Sequence, residues 1–361
     1  MITHRSSPQY VIGISSCSSY IKRALGGGDD ESSSSSEGFT SESSSSSGPP
    51  ATRTIVDVTQ SGGSTSVLSS GAISLTEGSP YMFSACRYNT TSQNTVTFYM
   101  NGNTTAANYN YGFIQAKSDS TYQSGISATA PIMRTTSGDV FVYQGMCGLQ
   151  NGNPYIVGAA TLQDSNNRGR FLGGMLETES TFTQLQFNGG ANTILNNSYL
   201  KIWEMQSTPV ASVSVSGASV TTLSSGSISL TEGKTYMFAV GVTPDSSGGT
   251  YSIRINGDGT SGNYSLGDLD IGGSSDSSGI LTTNSVVGST GFAVLYGYCG
   301  LLNGVPYTST TTLERTAATT VHMRFGANWN NNESTFTQLD ITSNTASQVA
   351  DGSFLTIWEL E

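Results

Sequence analysis

Residues 223–264 read LSSGSISLTEGKTYMFAVGVTPDSSGGTYSIRINGDGTSGNY. A diverged copy stands upstream, from LSSGAISLTEGSPYMF at residues 68–83 to TVTFYMNGNTTAANY at residues 95–109. Ile73 and Ile228, Tyr81 and Tyr236, and Tyr109 and Tyr264 are each 155 positions apart, so turn and strand residues repeat together. The offset becomes 152 at GMCGLQNGNPY (145–155) against GYCGLLNGVPY (297–307), 154 at STFTQL, and 155 again at LKIWEM against LTIWEL. A period of this length exceeds the roughly 20–50 residues of a solenoid unit, which cannot bury a core alone. It has the size of a whole domain. Two copies of one domain are expected, at residues 51–205 and 206–361.

Charged residues make up 11% of the chain, against about 25% in an average globular protein. With 43 Gly, 17 Tyr and 13 Phe, this composition suits many short strands joined by tight turns. A net charge of −11 with 14 Lys and Arg argues against nucleic acid as a partner, because phosphate binding draws its affinity from cations that release counterions. No run of 18 apolar residues occurs, so no membrane insertion is expected. Cys17, Cys86, Cys147 and Cys299 form no C-x-x-C, and Cys147 and Cys299 are equivalent in the two copies. Buried, reduced thiols in a protein made in a reducing cytoplasm are the expectation.

Residues 1–25 mix Arg5, Lys22 and Arg23 with Tyr10, Ile12, Ile14, Tyr20 and Ile21, too few to own a core. Residues 26–50, GGGDDESSSSSEGFTSESSSSSGPP, cannot bury apolar surface and read as a flexible tether. An apolar head on a tether is the layout of an anchor peptide followed by a linker.

From Arg53 onward the pattern alternates with period two. Val96, Phe98 and Met100 share one strand face, as do their equivalents Tyr251, Ile253 and Ile255. Asn-Gly follows this strand in each copy and recurs in GLQNG and GLLNG; it is the strongest short hairpin signal, because a primed turn needs positive φ. The fold class expected is all-β: two tandem antiparallel jelly-roll sandwiches. The closing strands are apolar on both faces, with Trp203 on one and Leu200 and Ile202 on the other, then Phe354 and Trp358 against Leu355 and Ile357. Such a strand is central in its sheet or covered by a neighbour. Trp203, Trp358, Phe354, Leu355 and Ile357 are therefore assigned to the border of a homo-oligomer, a trimer being the first expectation.

Catalytic chemistry finds little footing. There are two histidines, His4 and His322, and neither G-x-S-x-G nor H-E-x-x-H occurs. Gly257, Gly259 and Gly262 spell G-x-G-x-x-G, but no helix pattern follows to hold a pyrophosphate. Asn256, Asp258 and Asn263 could offer oxygens to calcium, yet the equivalent loop of copy one has no carboxylate, and no metal or other cofactor is expected. Glu77, Glu232, Glu204 and Glu359 recur in both copies, which points to folding and not to a glycosidase pair. Tyr109, Tyr111, Tyr264 and Trp329 stand among Asn, Gly and Ser, the mix that stacks on sugar rings and hydrogen-bonds their hydroxyls. They are the candidate contacts to a host-surface glycan.

RINGDGTSGNY (254–264) and FLTIWEL (354–360) resemble segments of tailed-bacteriophage virion proteins. In those, jelly rolls of tumour-necrosis-factor-like topology carry a similar hairpin and closing strand. The resemblance implies head fibres, capsid decoration proteins or tail-fibre tips, usually trimeric. It spans residues 51–361 and is weaker in copy one, where Asn103 replaces Asp258. The expected function is a non-enzymatic virion structural protein, anchored to a capsid or tail protein through residues 1–25 and displayed on the virion surface for host attachment. The alternatives are a double jelly-roll shell subunit and a carbohydrate-binding module or glycan-active enzyme.

Overall fold

The computed structural model describes residues 52–88, 94–116, 122–127, 131–135, 140–163, 168–189, 194–205, 208–245, 249–271, 277–281, 286–289, 292–317, 320–344 and 348–360. The anchor and tether expected at residues 1–50, with Tyr10, Ile12, Ile14, Tyr20, Ile21 and Cys17, lie outside them. Residues 47–361 form one compact unit.

Module one contains β1 (Thr52–Thr59), β2 (Val67–Ser69), β3 (Tyr81–Tyr88), β4 (Asn94–Met100), β5 (Tyr109–Ala116), β6 (Tyr122–Ser127), β7 (Ile132–Thr135), β8 (Val140–Gln150), β9 (Asn153–Gln163), β10 (Arg168–Leu176), β11 (Leu185–Asn188) and β12 (Tyr199–Met205). Module two repeats it with β13 (Ala211–Ser214), β14 (Thr222–Ser224), β15 (Thr235–Val242), β16 (Gly249–Ile255), β17 (Tyr264–Ile271), β18 (Ser277–Leu281), β19 (Val286–Ser289), β20 (Phe292–Leu302), β21 (Val305–Ala317), β22 (Thr320–Asn330), β23 (Leu339–Ser343) and β24 (Phe354–Leu360). Among the described residues there is no α-helix.

Each module is an antiparallel jelly roll with an added flap. The four-stranded sheet runs β2-β11-β4-β7, and the large sheet begins β1-β12-β3-β8, so first strand pairs with last and second with next to last. The large sheet then continues β9-β10-β5-β6, an extension beyond the eight-strand roll. Module two follows the same order strand for strand.

The hairpins obey their turn residues. Asn101 and Gly102 have φ of 57° and 68°, and Asn256 and Gly257 have 58° and 71°, the double positive φ of a primed turn. Asn151-Gly152 and Asn303-Gly304 do the same. Between the sheets, Val96, Phe98 and Met100 are fully buried with Phe83, Leu200 and Ile202, and Phe98 meets the edge of Tyr143 at 5.1 Å. Tyr251, Ile253 and Ile255 do likewise in module two. Cys147 and Cys299 sit in the two separate cores as free thiols, and burial pushes both well above the usual thiol range.

The closing strands lie second from the edge, flanked by β1 or β13. Leu355 and Ile357 are fully buried in module two's own sandwich, and Phe354 and Trp358 are covered by module one of the same chain. The assignment of these four to a contact between subunits is thus corrected: the dry outer face is met inside the chain. Trp203, their counterpart in module one, remains half-buried.

A third apolar cluster joins the modules. Met146, Tyr155, Val157 and Met175 of module one pack with Met237, Ala239, Phe292, Val294, Tyr296, Leu313, Phe354 and Trp358 of module two. Gln150, at the tip of the β8–β9 hairpin, is fully buried beside Gly241, where it donates to Thr243 Oγ1 at 2.8 Å and to the Gly352 carbonyl at 3.2 Å. Arg315 Nε lies 3.2 Å from Glu177 Oε1 across the same boundary. Full burial of a Leu- or Met-sized side chain is worth about 1.5–3 kcal/mol, so this cluster ties the modules into one body.

A Cβ at position 241 would stand 2.2 Å from Gln150 Oε1 and 2.4 Å from the Phe354 ring. Gly241→Ala is predicted to cost about 1–3 kcal/mol through overpacking, measured as a lower urea midpoint at unchanged slope.

Candidate functional site

The shared signature hairpin is where sequence reasoning placed most of its site residues, and the structure shows what they do. Tyr264 is buried at the start of β17; its hydroxyl accepts the Ile255 N–H at 3.0 Å and donates to the Asp258 carbonyl at 2.9 Å. Tyr109 repeats this, accepting from Met100 N at 2.9 Å and donating to Asn103 O at 2.8 Å. Burial pushes both phenols above their ordinary range, so each stays protonated and able to donate. Asn256 Oδ1 accepts the Thr337 N–H at 2.7 Å and its Nδ2 donates to the Thr335 carbonyl at 2.6 Å; Asn101 does the same with Thr183 and Thr181. The recurring Asn, Tyr and STFTQL therefore form a staple that fastens one hairpin to the loop before β11 or β23.

Tyr109 and Tyr264 are thus corrected from sugar platforms to internal struts. Tyr111 is also buried at 5% exposure, stacked on Phe113 at 5.8 Å. A loop rich in Asn, Gly and Tyr satisfies its own backbone in the same way that it would satisfy a sugar, and composition does not separate the two.

Asp258 is tied into the hairpin and to the end of β22 by hydrogen bonds. Its carboxylate accepts from the Thr260 N–H at 2.8 Å, Asn263 Nδ2 at 2.8 Å and Asn330 Nδ2 at 3.0 Å, so donors surround it where a hard cation needs oxygens. Among the described residues no group of three or more His, Cys, Asp or Glu is placed to hold a metal ion. The recurring glutamates also serve the fold. Glu77 Oε1 accepts the Gly152 N–H at 2.9 Å and Glu232 Oε1 the Gly304 N–H at 3.2 Å, while Glu204 pairs with Arg53 at 2.7 Å and Glu359 with Lys234.

One feature of module two escaped the sequence. Thr308, Thr310, Thr312 and Glu314 of β21 are buried where module one has Ile156, Gly158, Ala160 and Leu162. In register, His322 stands opposite Glu314, and Arg324 stands between Thr312 and Asp270.

No protein-family model and no curated protein matches this chain. Function therefore rests on the surface that the fold leaves open. Trp329 closes β22 half-exposed, with its ring 5.2 Å from Tyr307. It lies on a strand and not in a loop, and it stands at the position of Met175 in module one. On the same outer face, Tyr298 and Leu302 are 43% and 50% exposed. Of the four candidate aromatics, only Trp329 is accessible, and its neighbours Tyr298, Leu302 and Tyr307 were missed. Their signal was present in the alternation of β20, where residues 296, 298 and 302 point away from the core.

Tyr264→Phe and Tyr109→Phe strand a buried backbone N–H, and each is predicted to cost about 1–3 kcal/mol in denaturant unfolding. Acid provides a second check. Burial opposes ionisation of Asp258, but the hydrogen bonds from Asn263, Thr260 and Asn330 prevail and hold its carboxyl below the ordinary 3.8. A depressed folded pKa gives stability that is present above 3.8 and lost as pH falls through the lower folded value. Asp258→Asn is predicted to flatten the acid limb of the stability profile below about pH 4, with the limb steeper in the parent chain.

Proposed function

We propose that this chain is a non-enzymatic display protein of a tailed-bacteriophage virion: residues 1–25 moor it to a capsid or tail component, residues 26–50 space it, and the two jelly rolls project as a unit. The observation that carries this reading is that the recurring polar residues are spent on internal hydrogen bonds, while Tyr298 and Leu302 stay exposed on the outer face of module two. A protein built this way acts through the surface it presents. Synthesis in a host cytoplasm agrees with the free, buried Cys147 and Cys299. Assembly as a homo-oligomer, a trimer first, would multiply weak contacts through effective concentration. The outer face of module two is where such a protein meets another molecule.

A double jelly-roll shell subunit is the second reading, favoured by the side-by-side fusion of the modules through Met146, Tyr155, Met175 and Trp358. The tether opposes it, since a shell wall has no use for a long coil ahead of its first sandwich. The glycan-enzyme reading loses Tyr109, Tyr111 and Tyr264 as platforms.

Removing residues 1–50 separates the two. A displayed protein is predicted to stay folded and soluble yet fail to join particles, read by immunogold labelling and particle-bound protein. Failure of particles to form would assign the chain to the shell, and particle binding without residues 1–50 would overturn the mooring.

A further inference from the structure

The large sheet of module two ends on a strand that lacks the features that close the same edge in module one. There, β1 carries Arg53, 2.7 Å from Glu204, and Asp57, 3.1 Å from Lys201, and its register with β12 shifts between Thr54 and Val56. Charge and a bulge are devices by which natural sheets stop a further strand from adding. In module two, Thr208, Ser212 and Thr356 stand where module one has Arg53, Asp57 and Lys201. Neither ion pair is made again, and the Ser212 and Thr356 hydroxyls stand 3.3 Å apart instead. Residues 206–231 hold no charged side chain at all, in a chain of net charge −11.

The backbone of β13 is open along that edge. Val215 donates its N–H to the Ser353 carbonyl at 2.8 Å, and Val213 and Ala211 lie opposite Leu355 and Ile357 in the same register. Successive residues of a strand turn their backbone groups to opposite sides, so Ser212 and Ser214 direct N–H and C=O away from β24. Among the described residues no strand pairs with β13 on that side. Ala211 and Val215 are buried in the core and Val213 packs against it, while Ser212 and Ser214 are exposed. The surroundings are apolar as well. Val210 and Val220 are 38% and 37% exposed, and a cavity of about 250 Å³ lies beside the strand, lined by Val213, Val215, Val220 and Leu223 together with Ser and Thr side chains.

We infer that β13 adds in antiparallel register to β13 of a second copy of this chain, across a two-fold axis at Val213, so that two large sheets continue as one. On this register Ser212 faces Ser214 of the second copy and Ser214 faces its Ser212. Each of these pairs exchanges N–H···O=C bonds in both directions, which meets the backbone groups that the edge leaves open.

The occupant follows from charge and symmetry. An acidic chain repels its own copy except where its surface carries no charge, and residues 206–231 supply such a surface. At the equivalent edge of module one, Asp57 would set two carboxylates on diagonal positions across the axis, about 7–8 Å apart. A two-fold contact needs one patch that is complementary to itself, and an open stretch reading Ser-Val-Ser meets that condition. Pro209, which has no N–H, and Gly217, at a φ of 81°, bound the stretch. They keep the ladder short and the dimer in exchange with its monomers.

The inference stands whether or not the chain belongs to a virion, and it uses no part of residues 1–50. Its test is sedimentation equilibrium of the full chain over a concentration series, in which the parent is predicted to be a reversible dimer. Two variants open the contact by different routes. Ser214→Pro removes an outward N–H, a change that an edge strand tolerates. Ser212→Asp with Ser214→Asp sets like charges directly opposite one another. Both are predicted to be monomers throughout the series, with unfolding midpoints near the parent's, and if one fails to fold the other carries the test. Val213→Cys in a Cys17→Ser background is predicted to give a disulfide-linked dimer in air that Cys17→Ser alone does not give, which reports the register. A parent that is monomeric at every concentration, an oligomer of any order that either folded variant leaves intact, or no crosslink through Val213→Cys would each overturn the inference.

Discussion

The burial of module one's outer face by module two organises everything outside the two cores. A jelly roll of four plus four strands already closes its own sandwich. The flap β9-β10-β5-β6 widens one sheet, and its outer side, with that of the adjoining β8, carries Met146, Tyr155, Val157 and Met175. Apolar area of that extent must be removed from water, and the second copy removes it. Gly241 is the point on which the fit turns, since a side chain there would stand where Gln150 enters. The duplication therefore produced one body.

The second constraint is local. Asn-Gly turns leave backbone donors and acceptors that the strands do not satisfy, and the staples of Asn101 with Tyr109 and of Asn256 with Tyr264 take them up. The part of the chain that looks most like a ligand site is for this reason its most self-contained part. The exposed apolar side chains Tyr298 and Leu302 lie instead on the flat of the large sheet, on a strand and not in a loop.

Much of the architecture was legible in order. Alternation at Val96, Phe98 and Met100, the Asn-Gly turns and the 155-residue period gave strands, hairpins and two modules, because each depends on neighbours within a few residues or on simple repetition. The closing strand of module two is dry on both faces as expected, while that of module one is dry on its inner face alone; what covers the outer face in module two was not legible, since it depends on a module about 150 residues away. Trp329 was singled out as accessible and is, while Tyr109, Tyr111 and Tyr264 share its surroundings in sequence and are buried. A tyrosine beside Asn and Gly reads the same whether its hydroxyl turns to its own backbone or to solvent.

The sequence by itself determined the all-β class, the tandem repeat, the turn geometry and the inward face of each central strand, for these follow from φ preferences and period-two burial, both properties of short stretches. Only the tertiary structure decided which of two equivalent surfaces is covered and which is open. Met146 and Tyr298 occupy the same place in the same fold, and one is buried while the other is 43% exposed. The difference lies in how two linked copies pack on each other, with Gly241 admitting Gln150 where module one has Cys86, and that fit belongs to both copies together.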